Sequence, residues 1–225
     1  MPEKPLILAR AEAFVRARLE ADAGGHDFHH IHRVRALALR IARSNGADPV
    51  LTELAALLHD VADPKLNPSP EAGRRALAEF LDGTGLEPGA RARVEDAIER
   101  VSFGAELAGS VAVLAAPARP KSPELQAVQD ADRLDALGAI GIARVFAYGG
   151  HKGQAMHDPE IPPRVGLDQQ AYRGGKSTSL NHFHEKLFLL KERMNTPLGR
   201  EIAEERHRYM EAFLDRFMGE WAGER

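Results

Sequence analysis

The sequence contains no cysteine, and that absence removes several chemistries together: disulfide staples, thiolate-ligated zinc and a thiol nucleophile. Any metal must be held by His, Asp or Glu. A basic excess is missing too. Lys+Arg 30 stand against Asp+Glu 33, a formal charge of −3, so no stable nucleic-acid partner is expected. A small or polyanionic substrate needs only a local basic patch. No apolar run approaches the length of a membrane span, and the opening stretch MPEKPLILARAEAFVRARLE reads as an amphipathic helix too rich in charge for a signal peptide. The expectation is a soluble, cytoplasmic protein with no membrane partner. Internal repeats, low-complexity tracts, an interdomain linker and short alternating β-branched runs are also lacking. At 225 residues the chain is long enough for one sizeable core, so a single domain over 1–225 is expected.

What is present is helical periodicity almost from end to end, which predicts an all-α fold, a bundle of about eight helices. They are expected at about 4–21, 27–45, 48–60, 70–82, 88–102, 123–148, 179–194 and 197–221. Four starts carry their own physical signal. Asp48-Pro49, Ser69-Pro70, Ser122-Pro123 and Thr196-Pro197 each put a side-chain acceptor at the N-cap and proline at N1, where no amide hydrogen is missed. Asn45-Gly46 and Gly149-Gly150 read as stops. In the 48–60 helix, Leu51, Leu54, Ala55 and Leu58 share a stripe that drives the helix inward and carries His59-Asp60 to its buried end. In the 123–148 helix, Gly138 and Gly141 weaken the helix intrinsically, so a close helix approach is expected there. The irregular stretch 150–178 reads as a lid, or else as a mobile surface excursion. The stripe Tyr209, Met210, Phe213, Phe217 and Trp221 predicts core packing or a homodimer surface. Glu204 and His207 read as exposed.

His59-Asp60 has chemical complements on both sides. Upstream, GHDFHHIHRV holds His26, His29, His30 and His32; downstream, QDADRLDALG holds Asp130, Asp132 and Asp135. Two imidazoles and two carboxylates from three helices can close on one divalent cation and leave positions open for water. Adjacent helical residues point about 100° apart, similar to the angle between neighbouring octahedral ligands, so one ion can sit between His59 and Asp60. Asp63, three residues on, can orient or deprotonate a water there. No histidine occurs between His59 and His151, which favours one metal over two. Mn²⁺, Co²⁺, Ni²⁺, Fe²⁺, Mg²⁺ and Zn²⁺ all suit such donors.

The set GHDFHHIHRV, LLHDVADPK and VQDADRLDALGAIGIAR resembles the HD-domain metal-dependent phosphohydrolases. The C-terminal part, STSLNHFHEKLFLLKERMNTPLGREIAEERHRYMEAFLDRFMGEW, resembles small stand-alone bacterial members, some of which are nucleotide pyrophosphohydrolases. The resemblance runs from about residue 25 to 221. It implies a metal core at about 25–148, with His30, His59, Asp60 and Asp132 as ligands. Spacing alone leaves His26, His29 and His30 open. Catalysis is then expected to rest on Asp60 and on Asp63 as the water-activating base, although many relatives carry glutamate at that second position. Lys65, Arg133, Lys176 and Lys186 are candidate phosphate contacts, Lys186 first, with His182 from the same NHFHEKL motif. His26 and Asp27 either touch substrate or metal-bound water, or serve the fold, Asp27 as the cap of the second helix and His26 as a donor to a supporting carboxylate. Arg33 either positions Asp63 or a phosphate, or makes a structural ion pair. His29 and His32 are expected to be solvated or at the edge of the core, and Asp130 and Asp135 to be helix surface charges rather than partners of Asp132. The implied activity is hydrolysis of a phosphorylated small molecule, a nucleotide, with cleavage of a nucleoside or deoxynucleoside triphosphate to monophosphate and pyrophosphate as the leading case. A 5′-nucleotidase, an alarmone hydrolase and a non-catalytic metal-binding sensor are the other readings.

Overall fold

The computed structural model describes residues 4–19, 27–64, 66–101, 119–164 and 175–225. His26, Lys65 and the middle of the expected lid lie outside the described residues. Every regular element among the described residues is helical, as the periodicity predicts. The order is α1 (Lys4–Leu19), α2 (Phe28–Asn45), α3 (Pro49–Leu58), α4 (Pro70–Asp82), α5 (Pro88–Arg100), α6 (Pro123–Asp135), α7 (Gly138–His151), α8 (Ser179–Glu185), the 3₁₀ turns Leu187–Leu189 and Lys191–Arg193, and α9 (Pro197–Trp221). The chain divides into two compact units, Met1–Asp132 and Arg133–Arg225.

In the first unit, α3 is the central element and packs against α1, α2 and α5. Its sequence explains why. Ala55, Ala56, Leu57 and Leu58 form a run that is apolar on every side, and all four are fully buried, which marks an interior helix rather than one with a single apolar stripe. Each fully buried leucine contributes about 1.5–3 kcal/mol of burial. The neighbours supply the complementary surfaces: Ile7, Ala11, Val15 and Leu19 from α1, and Ile31, Val34, Ala38 and Ile41 from α2. Packing therefore fixes the end of α3, where His59 takes the C-cap position.

All four predicted caps form. Asp48 accepts from Val50 N at 2.8 Å and Leu51 N at 3.1 Å, Ser69 from Ala72 N, Ser122 from Leu125 N and Thr196 from Gly199 N. Asp27 caps α2 by accepting from His30 N at 2.9 Å, so the residue just ahead of the histidine cluster sets the register of the helix that carries it. Gly46 takes the left-handed conformation, φ 76°, and stops α2 as expected.

The second unit departs from the sequence reading in several places. The helix expected over 123–148 breaks after Asp135, and α7 begins at Gly138. Gly138 has φ 74°, and a Cβ there would lie 3.0 Å from Arg206 Cγ of α9. A Cβ on Gly141 would lie 2.2 Å from the Ala136 carbonyl oxygen, so these glycines build a tight corner instead of a continuous helix. α7 then runs through Gly149-Gly150 to His151. The helix expected over 179–194 is one short helix followed by two 3₁₀ turns, because Lys186 (φ −141°, ψ −57°) leaves helical geometry. Phe146, Phe183, Phe213 and Phe217 form the aromatic centre of this unit, with Phe183–Phe213 and Phe146–Phe217 stacked at 6.2 and 6.0 Å. Met210 is fully buried, whereas Tyr209 and Trp221 are about half exposed. The α9 stripe is thus core at its middle only. His207, expected to be exposed, is buried against the Phe188 ring at 4.7 Å, with Nε2 3.2 Å from Glu211 Oε1.

Because Asp48 alone satisfies two amides at the start of α3, Asp48→Ala should cost about 1–2 kcal/mol, read as a lowered urea midpoint with unchanged m-value. A midpoint equal to wild type would show that packing alone holds this helix.

Candidate metal centre

His30 lies in the first turn of α2 and His59 at the C-cap of α3, and the packing of these two helices brings their rings edge to face, with centroids 5.3 Å apart. The Nε2 atoms stand 3.3 Å apart. Two carboxylates close on the same point. Asp60 Oδ2 is 3.5 Å from His30 Nε2 and its Oδ1 is 3.4 Å from His59 Nε2, while Asp132 Oδ1 is 3.5 Å from His30 Nε2 and 3.9 Å from His59 Nε2. The imidazole side chains are 1% exposed, Asp60 11% and Asp132 28%. The nitrogens form the floor and the carboxylates the rim.

The donor set fits a divalent cation. His59 Nδ1 lies 2.9 Å from Ala56 O, and because a carbonyl only accepts, that nitrogen donates and the Nε2 edge of the ring is turned to the cluster. Such a backbone partner is the usual means of orienting a ligating imidazole. Donors about 2.0–2.1 Å from a zinc-like ion at tetrahedral or right angles stand about 2.8–3.4 Å from one another, a range the shorter spacings found reach. Imidazole nitrogens and carboxylate oxygens together are donor types that divalent first-row ions accept. His30, His59 and Asp60 form a group able to hold a metal by their mutual spacing alone, and Asp132 faces both rings.

Residues 27–137 match the family model described as HD domain. YpgQ of Bacillus subtilis is 40% identical over 206 residues, covering 89% of this chain and 87% of YpgQ. The chain belongs to the HD-domain family. Its solved relatives include a Lactobacillus plantarum protein at TM-score 0.83 and 36% identity, covering 97% of this chain and 98% of that one. A Bacillus thuringiensis protein described as an HD-superfamily hydrolase superposes at TM-score 0.74 with 44% identity, again covering 97% and 98%. YpgQ in complex with ADP superposes at TM-score 0.72, with 31% identity over 95% of this chain and 97% of that one.

Within the HD motif, Asp63 follows in the turn after α3, its amide donating to Asp60 O at 3.0 Å and its side chain half-buried. The helix ends at Leu58, so Asp63 reaches that neighbourhood through a tight turn and not along a continued helix. Arg33 is half-buried one turn beyond His30, and His29 and His32 are exposed as expected. Asp130 and Asp135, read as surface charges, are instead buried, at 0% and 1% exposure. Asp135 is sustained by Arg144, which answers the cost of burying a carboxylate. Nothing in their spacing separated them from Asp132, since all three share one short helix.

Arg133, Lys176, His182 and Lys186 belong to the second unit. Arg133 is buried and donates to Arg193 O, an engagement within the fold that competes with phosphate contact. Lys176 is exposed, while His182 and Lys186 are half-buried and sit one helical turn apart. Burial, reinforced by the positive charges of Lys186 and Arg164 and opposed by Glu185, pulls the His182 pKa from 6.5 to about 4, so this ring is neutral at pH 7. Glu185 itself carries no spacing signal in the sequence. It is buried, and burial raises its carboxyl, but hydrogen bonds from Arg164 and Ser177 prevail and hold it below the usual range.

Asp60→Ala should leave the helical circular dichroism near wild type while weakening Mn²⁺ binding about tenfold or more, as loss of a ligand exceeds loss of a supporting partner. Full Mn²⁺ affinity by calorimetry in that variant would remove Asp60 from the ligand set. For His182 the folded state favours the neutral ring, so the unfolded chain binds more protons between pH 6.5 and about 4. Its stabilising share is complete above the upper value and is lost as pH falls through the window. His182→Gln should flatten the slope of unfolding free energy against pH there; an unchanged slope would refute the burial argument.

Proposed function

We propose that this HD-domain protein is a metal-dependent phosphohydrolase acting on nucleotides, with cleavage of a nucleoside or deoxynucleoside triphosphate to monophosphate and pyrophosphate as its leading activity. The convergence of His30 Nε2, His59 Nε2, Asp60 and Asp132 within 3.3–3.9 Å carries the reading. The ADP complex of YpgQ supports a nucleotide ligand over other phosphate esters, and the Bacillus thuringiensis relative described as a hydrolase supports turnover over a non-catalytic sensor.

These four residues would hold one divalent ion, which supplies Lewis-acid polarisation of phosphate and makes water a competent nucleophile near neutral pH. The remaining chemistry falls to the chain. Asp63 takes the proton as water oxygen bonds to the α-phosphorus and the bond to the bridging oxygen breaks, releasing pyrophosphate. Asp60 and Asp132 place negative charge on one side of the reacting group. Lys186 is proposed to neutralise phosphate oxygens, with His182, neutral at pH 7, adding hydrogen bonding but no charge. Lys176, Arg33, Lys65 and His26 are secondary candidates, and Arg133 ranks last because its guanidinium is engaged with Arg193.

Purified protein should be offered nucleoside tri-, di- and monophosphates with Mn²⁺, Co²⁺, Ni²⁺ or Mg²⁺, and the products followed by phosphorus NMR. Pyrophosphate appearing with monophosphate, abolished in Asp60→Ala, is expected. Inorganic phosphate from monophosphates alone would replace this reading with a 5′-nucleotidase, and silence across every nucleotide and metal would refute phosphohydrolase activity.

A further inference from the structure

α8 is only seven residues long, yet it carries two adjacent faces with different work. Asn181 and Glu185, four apart, are both buried. They hold the preceding irregular segment: Asn181 Nδ2 donates to Ile161 O at 2.8 Å, and Glu185 accepts from Arg164 in a fork, Nε to Oε1 at 2.9 Å and Nη2 to Oε2 at 2.8 Å. Arg164 N adds a third bond to Oε1 at 3.1 Å, and Ser177 Oγ a fourth at 3.0 Å. The start of the same helix takes two more partners from that segment, Ser179 N to Ala155 O and Leu180 N to Met156 O, each at 3.0 Å. His182 occupies the next face, and Lys186, four residues on, follows at the C-cap just outside the helix.

One carboxylate therefore gathers Arg164 and Ser177 from opposite sides of residues 165–174. Gly175 tightens the junction: its φ is 91°, and a Cβ there would lie 2.9 Å from Arg164 Nη1. Glu185 is covalently next to Lys186, and the backbone at Lys186 turns out of the helix, with its amide still donating to His182 O at 3.1 Å. A shift of Glu185 thus moves Lys186 and His182 together. Forked Arg–carboxylate pairs fix orientation as well as distance, and a buried pair of this kind is costly to break.

Resting on the nucleotide reading above, we infer that Glu185 is a positioning residue: through Arg164 and Ser177 it fixes where the side chains of His182 and Lys186 stand for phosphate contact. The test compares full-length wild type, Glu185→Gln, Arg164→Lys and the double variant. ADP affinity is measured by calorimetry with Mn²⁺ present, KM and kcat for deoxynucleoside triphosphates by pyrophosphate release, and Tm by circular dichroism. Each single variant should raise KM and the ADP Kd about tenfold while kcat stays within about twofold, because misplaced binding groups cost affinity before chemistry. The double variant should be no worse than the poorer single one, since both changes cut the same fork. A fall in Tm with KM and Kd at wild-type values would overturn the inference and leave Glu185 a structural anchor. Should Glu185→Gln fail to fold, Arg164→Lys decides by the same readouts. A wild type that neither hydrolyses a nucleotide nor binds ADP defeats the nucleotide reading and this inference with it, whereas an active wild type with insensitive variants defeats only the role of Glu185.

Discussion

Electron-pair donors crowded together in a buried place repel one another, and the centre of the first unit is built around that problem. Two imidazole nitrogens sit 3.3 Å apart, with carboxylate oxygens at 3.4–3.9 Å around them. One shared proton cannot satisfy four such groups, whereas a divalent cation can. Much of the surrounding fold serves to keep these atoms close in spite of their repulsion. The apolar interior of α3, the Asp48 cap that starts it and the Asp27 cap that starts α2 all act on the positions of His30 and His59.

The division of labour follows from burial. The nitrogens are sequestered and oriented, which gives rigidity, while the carboxylates are partly exposed, which leaves an approach from solvent. Asp132 is the most open of the four, and it projects from α6, just before the chain enters its second unit. That unit has a different internal economy. Its aromatic centre is assembled from α7, α8 and α9, and beside the Thr196 cap its polar links include long-range bonds onto α8.

Much of the first unit was legible in the sequence because its signals are local. A cap followed by proline, a left-handed glycine, or an all-apolar run such as AALL encodes its own conformation, and the ordered motifs around His30, His59-Asp60 and Asp132 named the cluster. The second unit was less legible because its decisive interactions join residues far apart in sequence. The break at Gly138 answers to Arg206, and the burial of Glu185 answers to Arg164 and Ser177. Periodicity could not separate a helix that continues through Leu137 from one that restarts there. Spacing also misjudged Asp130, Asp135 and His207, since a charged or polar residue looks solvated until its partner or its covering ring is known.

The hydrogen bond from His59 Nδ1 to Ala56 O has one more implication. The acceptor belongs to the main chain of the last turn of α3, so the aim of the Nε2 edge is written into the helix terminus and needs no side chain elsewhere to maintain it. A cation held there would meet a floor already oriented, and exchange of one ion for another would need no refolding of it. Substitution at distant surface positions has little purchase on this ring; a displaced end of α3 would turn it.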